Sequence, residues 1–258
     1  MTSPVFFLPA GALARLQPGD QVTLDGPEGR HAAQVQRVRP GERLDLADGA
    51  GQRASGTVLQ VDKAAVVVTL ERLELEPPPR PCITLVQALA KHRRDEAAIE
   101  AATELGVDAI VPWQADRSVV QWRGADKLAK GRERWQEVVK AAAKVARRAY
   151  LPAVGEPLTT AGLVEYIAQG HDTAVTVLHE AATEPFETAL REVARHASLM
   201  LVVGPEGGIT AEELAAFQAE GAAIVRLGPT VLRSSTAGPA ALAVLSQRLG
   251  RWAVRPTS

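Results

Sequence analysis

Two stretches of sequence decide the fold: residues 199–210 read LMLVVGPEGGIT, and residues 225–245 read VRLGPTVLRSSTAGPAALAVL. In each stretch an apolar run typical of a buried strand ends in a turn rich in glycine and proline. A helical pattern follows each turn. The carboxyl ends of parallel strands meet at one edge of an open α/β sheet, where such folds bind ligands. We therefore expect the two turns to lie together at that edge.

Strands and helices alternate through the rest of the C-terminal part of the chain. Apolar runs predict strands at 83–89, 108–112, 174–178, 198–203 and 223–227. Helical patterns separate them at 94–106, 126–148, near 186–196, at 211–220 and at 235–249. Thr210 and Glu213 have the spacing of a capping box. This order predicts an α/β domain whose parallel sheet is covered on both faces.

The N-terminal part has another pattern. Residues 5–75 contain short alternating runs (QVTL, RLDLA, SGTVLQV) separated by turn clusters such as PGD and DGAGQ, which is typical of a small all-β barrel or sandwich. The stretch EPPPRP at 76–81 holds four prolines and predicts a stiff, extended linker. We therefore predict a β domain at 1–75, a linker at 76–81 and an α/β domain at 82–258.

Composition excludes several classes of protein. Of 258 residues, 46% are apolar and 23% charged, which is typical of a globular protein rather than a disordered one. The single cysteine, Cys82, excludes an internal disulfide and a multi-cysteine zinc site. The histidines lack metal-ligand spacing, so we expect no metal. We find no leader peptide and no apolar run of membrane-spanning length, and expect a cytoplasmic protein with no membrane contact.

Charge is unevenly distributed along the chain. Residues 80–150 carry 14 Lys/Arg against 9 Asp/Glu, whereas the whole chain has a net charge of −1. A basic segment suits a polyanion such as RNA, but solvated helices have the same composition. Within it Lys91, Arg93 and Arg94 follow one predicted strand and Arg117 follows the next. Arg147 and Arg148 close the long predicted helix.

The two turns differ in how strongly they indicate a ligand. GPEGG at 204–208 matches neither a phosphate loop nor a GxGxxG fingerprint, although it lets backbone approach a flat ligand closely. A turn without a ligand would look similar. The segment 227–239 is 13 residues long, beyond the usual length of a strand-to-helix connection, and such loops are usually functional. It exposes Val231 and Leu232 beside its one charge, Arg233.

These motifs resemble a known family. The order GPEGG, helix, LGP, LR, TA and apolar helix is similar to the SPOUT superfamily of RNA methyltransferases. ATELGVDAIVPWQADRSV (102–119), RRAYLP (147–152), LVVGPEGGIT (201–210) and LGPTVLRSSTA (227–237) resemble the bacterial RsmE family within it. HAAQVQRVRPGERLDL (31–46) is similar to that family's PUA-like RNA-binding barrel. The resemblance covers nearly the whole chain.

The resemblance implies methylation of N3 of one uridine in 16S ribosomal RNA of the small subunit. It also implies a deep trefoil knot in the C-terminal α/β domain, a homodimer, and S-adenosylmethionine as cofactor. Carried over position by position, the cofactor would be held by Leu178, His179, Glu180, Val203, Gly204, Pro205, Glu206, Gly207, Gly208, Leu227, Gly228, Pro229, Val231, Leu232, Ser234 and Thr236. Arg233 is our candidate catalytic residue, since its charge would stabilise negative charge on the uracil carbonyls. The RNA contacts we expect are His31, Arg37, Lys91, Arg117 and Arg148.

The chain departs from the family pattern at two places. Where the family commonly has Thr-Glu-Thr, this chain has Ser234, Ser235 and Thr236, and where it often has Glu-Gln, this chain has Lys144 and Val145. A mechanism that uses either carboxylate does not fit this chain. Two alternatives stay open: a SPOUT methyltransferase for another RNA target, and a non-catalytic RNA-binding factor in ribosome assembly.

Overall fold

The structure is a computed structural model that describes residues 3–170, 172–193 and 195–253. The chain divides into two compact units. The first unit comprises the chain up to Pro78 together with Ala143–Leu151, and the second comprises Pro79–Ala142 and the chain from Pro152 onward. The end of the predicted α/β domain, residues 254–258, lies outside the described residues.

The first unit is built on a five-stranded sheet. Its strands are β1 (Val5–Phe7), β2 (Gln21–Leu24), β3 (Arg43–Ala47), β4 (Gln52–Val61) and β5 (Val66–Leu75). They lie in the order β1-β3-β4-β5-β2, with β1 parallel to β3 and the other pairs antiparallel. Alternating apolar residues of these strands form the core, including the buried Leu44, Leu46 and Val68. The alternation that predicted a β domain therefore produces it.

One segment of this unit is helical, so the all-β prediction is wrong there. Helix α1 covers Gly26–Arg30 and continues as a π-helical turn over His31–Val35. Pro27 stands in the first turn, where its fixed φ favours a helix and its missing N–H costs nothing. Ala32 packs into the core of the sheet. The DGPEG cluster, which predicted a turn, is instead the start of this helix.

Residues 143–151 pack within the first unit. Lys144 Nζ lies 2.7 Å from Glu28 Oε2 and 5.7 Å from the centre of the Phe6 ring. The Tyr150 hydroxyl donates to the Glu76 carbonyl at 2.8 Å. Lys144, which stands where the family often has a carboxylate, is thus a structural cation that neutralises a buried glutamate.

The second unit is built on an eight-stranded sheet. Its strands are β6 (Cys82–Ala88), β7 (Ala109–Gln114), β8 (Ala153–Val154), β9 (Leu158–Thr159), β10 (Thr173–Leu178), β11 (Glu184–Pro185), β12 (Ser198–Val203) and β13 (Ala223–Arg226). The path is β11-β13-β10-β12-β6-β7-β8, with β9 pairing on β7, and all pairs are parallel. The predicted parallel sheet is confirmed.

Helices connect these strands. They are α2 (Arg94–Glu104), α3 (Ala125–Val145), α4 (Thr160–Gln169), α5 (Glu187–Val193), α6 (Ala211–Ala219) and α7 (Ser234–Arg248). A Cβ at Gly238 would stand 3.1 Å from Leu85 Cδ1, so α7 packs closely against β6. On the other face Trp113 meets Phe217 of α6 edge to face, with ring centres 5.5 Å apart. Both faces of the sheet are covered, as the sequence predicts.

Element ends and short elements differ from the sequence prediction. Helix α3 ends at Val145 rather than at 148, and Arg147 follows with φ of 54°, a left-handed conformation that ends the helix. Arg147 and Arg148 therefore lie beyond the helix. The short strands β8, β9 and β11 and the helix α4 were not predicted, because their apolar runs are too short to show a period.

Glu213 joins three segments of the second unit although its side chain is almost completely buried. Its carboxylate accepts the N–H of Asp116 at 2.9 Å, the hydroxyl of Thr160 at 2.8 Å and the N–H of Thr210 at 2.9 Å. The Thr210 hydroxyl in turn accepts the Glu213 N–H, which completes the capping box predicted for α6. One carboxylate thus fixes the start of α6, the loop after β7 and the start of α4.

We expect Glu213→Ala to lower the free energy of unfolding by about 2–4 kcal/mol, because it leaves buried donors without an acceptor. Urea denaturation measures the change. Glu212→Gln, at the exposed neighbouring position on the same helix, is the matched control and should shift stability by less than about 0.5 kcal/mol. Equal, small effects of both variants would contradict the role given to Glu213.

Candidate functional site

A cavity of about 710 Å³ lies beside the carboxyl ends of β10, β12 and β13. Three loops supply most of its wall: residues 178–180, 203–209 and 226–234. The two glycine-proline turns quoted at the outset therefore do lie at one edge of the sheet. Their meeting follows from the strand order, which places β10 directly between β12 and β13.

The GPEGG turn needs its glycines because other groups approach it closely. A Cβ at Gly204 would stand 2.5 Å from Ile209 Cγ1, and one at Gly207 would stand 3.0 Å from Arg117 Cβ. Gly208 has a φ of +76°, which L side chains rarely adopt. The Gly208 N–H donates to the Pro205 carbonyl at 2.9 Å, closing the turn. The turn therefore presents backbone rather than side chains to the cavity.

Two arginines from other loops hold this turn. Arg94 Nη1, at the start of α2, lies 3.3 Å from Glu206 Oε1, and Arg117 Nη1 donates to the Gly207 carbonyl at 3.2 Å. Both guanidinium groups also line the cavity. Since the loop that carries Arg117 is itself held by Glu213 through Asp116 N–H, the position of the turn depends on that buried carboxylate.

The second loop is shaped from within. Arg226, the last residue of β13, donates from Nε to the Gly228 carbonyl at 2.9 Å and from Nη2 to the Pro229 carbonyl at 2.8 Å. These two bonds bend the LGP segment back on the strand that precedes it. Val231 stays 76% exposed and Leu232 stays 37% exposed, so the cavity has an apolar rim that no other described part of the chain covers.

The amino end of α7 forms a further part of the wall. Arg233 is the N-cap residue and is exposed, and its side chain makes no capping bond. The Ser234 hydroxyl is buried and has no hydrogen-bond partner within the described residues. An unpaired buried hydroxyl is costly unless a bound molecule satisfies it. Together with the first N–H groups of the helix, these groups suit a polar or negatively charged ligand atom.

Most of the predicted cofactor residues line this cavity. Those that do are Leu178, His179, Glu180, Val203, Gly204, Pro205, Glu206, Gly207, Gly208, Leu227, Gly228, Val231, Leu232 and Ser234, together with the predicted catalytic Arg233. Pro229 and Thr236 are not part of the lining. The Pro229 carbonyl is bound by Arg226, and the Thr236 N–H bonds to the Arg233 carbonyl at 2.8 Å.

The predicted RNA contacts do not gather at one place. Arg117 lines the cavity, whereas Lys91 lies exposed on the turn before α2, where His92 and Arg93 have φ of 56° and 59°. His31, Arg37 and Arg148 belong to the first unit. His31 packs edge to face against Phe6 with ring centres 5.9 Å apart.

Sequence reasoning missed several residues of the wall: Arg94, Ile209, Ala211, Leu214, Arg226, Thr230 and Ala237. Arg226 and Arg94 are the important ones, because their side chains hold the two loops. Their signal is position alone, since each stands at a strand or helix end beside a turn, and nothing local shows which loop a long side chain will reach.

Titratable groups near the site include a buried carboxyl next to Arg94. Burial raises the pKa of the Asp95 carboxyl, and its position at the start of α2 only partly offsets this through backbone hydrogen bonds. Burial also raises the pKa of the Cys82 thiol, which is therefore a poor nucleophile.

Two searches of the described ranges 3–170, 172–193 and 195–253 found nothing. They hold no group of three or more His, Cys, Asp or Glu that could bind a metal ion. None of their helices is both long enough and apolar enough for a membrane span.

Two family models match the chain. The RNA methyltransferase domain matches residues 77–246, and the RNA methyltransferase PUA domain matches residues 24–71. The first match covers both turns and α7 up to Ser246, and the second covers most of the five-stranded sheet.

Curated relatives and solved structures agree with these matches. The ribosomal RNA small subunit methyltransferase E of Mycobacterium bovis is 48% identical over 91% of this chain and 89% of its own length. That of Bacillus subtilis is 29% identical over 87% of this chain and 89% of its own. The crystal structure of the Neisseria gonorrhoeae enzyme bound to S-adenosyl methionine superposes with a TM-score of 0.83 at 27% identity, covering 95% of this chain and 98% of that one. With this fold, this cavity and these relatives, the chain belongs to the ribosomal RNA small subunit methyltransferase E family.

Proposed function

We propose that this chain transfers a methyl group from S-adenosylmethionine to N3 of one uridine in the 16S RNA of the small ribosomal subunit. The observation that carries the proposal is the cavity formed by the GPEGG and LGP loops in a member of this family. Structures of the Neisseria gonorrhoeae relative and of a Legionella pneumophila methyltransferase, 27% identical to this chain, contain this cofactor.

The residues of the cavity fit such a cofactor. Gly204 and Gly207 bring backbone within reach of a flat adenine, because no side chain stands between. The buried Ser234 hydroxyl lacks a partner that a polar ligand atom would supply. We therefore assign cofactor contacts to the cavity-lining residues of the three loops, and assign Pro229 and Thr236 to supporting them. When bound, the cofactor supplies a methyl group activated by the adjoining positively charged sulfur.

Arg233 is the proposed catalytic residue. Uracil N3 reacts only as its proton leaves, so negative charge develops on the neighbouring carbonyl oxygens. The exposed guanidinium of Arg233, at the amino end of α7, would lie beside those oxygens and stabilise that charge. Holding the two reactants in line supplies a further part of the rate enhancement, up to about 7–11 kcal/mol in well-oriented systems.

The division of labour between the domains is also proposed. We assign RNA binding to the PUA domain, predicted at residues 1–75, through His31 and Arg37, and to Lys91, Arg117 and Arg148. The Pro-rich stretch 76–81 then links it to the methyltransferase domain at 82–258. The position of β10 between β12 and β13 is compatible with the deep trefoil knot of the SPOUT superfamily. We further propose a homodimer in the cytoplasm, where ribosomal subunits are assembled.

The test of the proposed function is methyl transfer from labelled S-adenosylmethionine to small ribosomal subunits that lack the modification, with the product nucleoside identified by mass spectrometry. We expect 3-methyluridine at a single position. Another methylated nucleoside would indicate a different target. No transfer, with cofactor binding intact in calorimetry, would favour the non-catalytic role in ribosome assembly.

We expect Arg233→Ala to lower the rate of methyl transfer by at least about tenfold while leaving the dissociation constant for S-adenosylmethionine within about twofold. Arg233→Lys is the matched variant, which keeps the charge and loses the planar donor pair. Single-turnover transfer and calorimetry measure the two quantities. Wild-type turnover in Arg233→Ala would contradict the catalytic role.

We expect Lys91→Ala to weaken RNA affinity and to reduce the slope of log K against log salt concentration by roughly 0.7–0.9, the value for one lost phosphate contact. Arg148→Ala should act in the same direction. Filter binding of RNA over a range of salt concentrations gives the slope. Glu133→Gln, on the same basic segment, is the control and should not lower it. An unchanged slope in Lys91→Ala would exclude a phosphate contact.

A further inference from the structure

The reaction proposed above needs a group that accepts the proton of uracil N3. The amino end of α7 does not provide one, because positions 233–236 offer a guanidinium and three hydroxyl groups. None of these holds an additional proton at neutral pH. We propose that the carboxylate of Glu180 is the proton acceptor. This inference rests on the proposed function and deepens it.

Only three side chains of the cavity wall are able to accept a proton: His179, Glu180 and Glu206. The remaining polar groups of the wall are arginines and hydroxyls. The three candidates can be compared by the partners that the structure gives them.

Glu206 is already committed to another contact. Its Oε1 lies 3.3 Å from Arg94 Nη1, and its side chain is 29% exposed. This ion pair helps to hold the GPEGG turn, so moving the carboxylate toward a substrate would release the turn that forms the cavity. Glu206 therefore acts as a structural group in the loop.

His179 is oriented as a donor. Its Nδ1 accepts the N–H of Ala181 at 3.3 Å, and its own N–H donates to the Val225 carbonyl at 3.0 Å. A neutral imidazole whose Nδ1 accepts a hydrogen bond carries its proton on Nε2. The free nitrogen of the ring is then a donor, and the ring does not take the N3 proton.

Glu180 differs from both. It follows β10 directly, lines the cavity and is exposed, and it has no hydrogen bond or ion pair within the described part of the chain. Its Oε1 lies 3.9 Å from the point that a Cβ on Gly208 would occupy, and Arg117 Nη1 lies 3.9 Å from the same point. Because Gly208 has no side chain, the space in front of this carboxylate stays open to a planar base.

The step balances without any further reactant. The N3–H bond breaks and its proton moves to a carboxylate oxygen of Glu180, while N3 forms a bond to the methyl carbon. The bond between that carbon and sulfur breaks, and its electron pair stays on sulfur, which becomes neutral. Arg233 stabilises the charge that passes through the uracil carbonyls. Glu180 then releases the proton to water, to which its exposed side chain has access.

Glu180→Gln tests the proposal, with Glu212→Gln on the exposed side of α6 as the control carboxylate. We expect Glu180→Gln to lower the single-turnover rate by about 100-fold or more, the usual range for loss of a general base, with the dissociation constant for S-adenosylmethionine in calorimetry within about twofold. Glu180→Ala should be rescued by added formate, at least about tenfold and in proportion to concentration, since formate replaces the missing acceptor.

Each outcome decides the question. A rate near wild type in Glu180→Gln, an unimpaired rate with weakened cofactor binding, or a lost rate that formate does not restore would each overturn the assignment. The wild-type protein in the same assay separates this inference from the function on which it rests. No transfer by the wild-type protein means that the proposed function is wrong, whereas transfer by wild type and Glu180→Gln alike means that only the inference is wrong.

Discussion

The candidate site depends on one buried carboxylate that is far from the chemistry. Glu213 is 1% exposed, and it is held by neutral donors from three segments that are distant in sequence. A buried charge is tolerated only when hydrogen bonds replace its hydration, so the three segments cannot separate without a large cost. One of them carries Arg117, whose guanidinium binds the GPEGG turn. The order of dependence is therefore Glu213, the loop after β7, Arg117 and finally the turn that forms the cavity.

The sequence predicts the regular part of this structure well, for a physical reason. Strands buried on both faces, such as SLMLVV at 198–203, read as continuous apolar runs, and the Thr210–Glu213 cap is a local pattern. What the sequence does not show is set by packing at a distance. Helix α1 follows a turn-like DGPEG cluster, and it forms where Ala32 can enter the core. The π-helical turn after it has no local signature.

The same distinction applies to the candidate site. The glycines of GPEGG could be read locally, because a turn that brings backbone to a ligand needs them. Arg226 and Arg94 could not, because a long side chain at a strand or helix end can reach any of several loops, and only the folded chain shows that these two bind carbonyls and a carboxylate. The departures at Ser235 and Lys144 gain meaning only in three dimensions. Lys144 neutralises Glu28, and the amino end of α7 is left without a proton acceptor.

The structure also changes how the basic segment should be understood. Its net charge of +5 suggests a broad surface for RNA, yet several of its cations are paired inside the protein. Arg93 and Arg134 both bind Glu96, and Arg132 binds Glu156. Arg94 and Arg117 hold the GPEGG turn, and Lys144 binds Glu28. A paired guanidinium releases fewer counterions when RNA arrives than a solvated one. RNA affinity should therefore depend on few exposed cations such as Lys91, and specificity on the shape of the site rather than on charge.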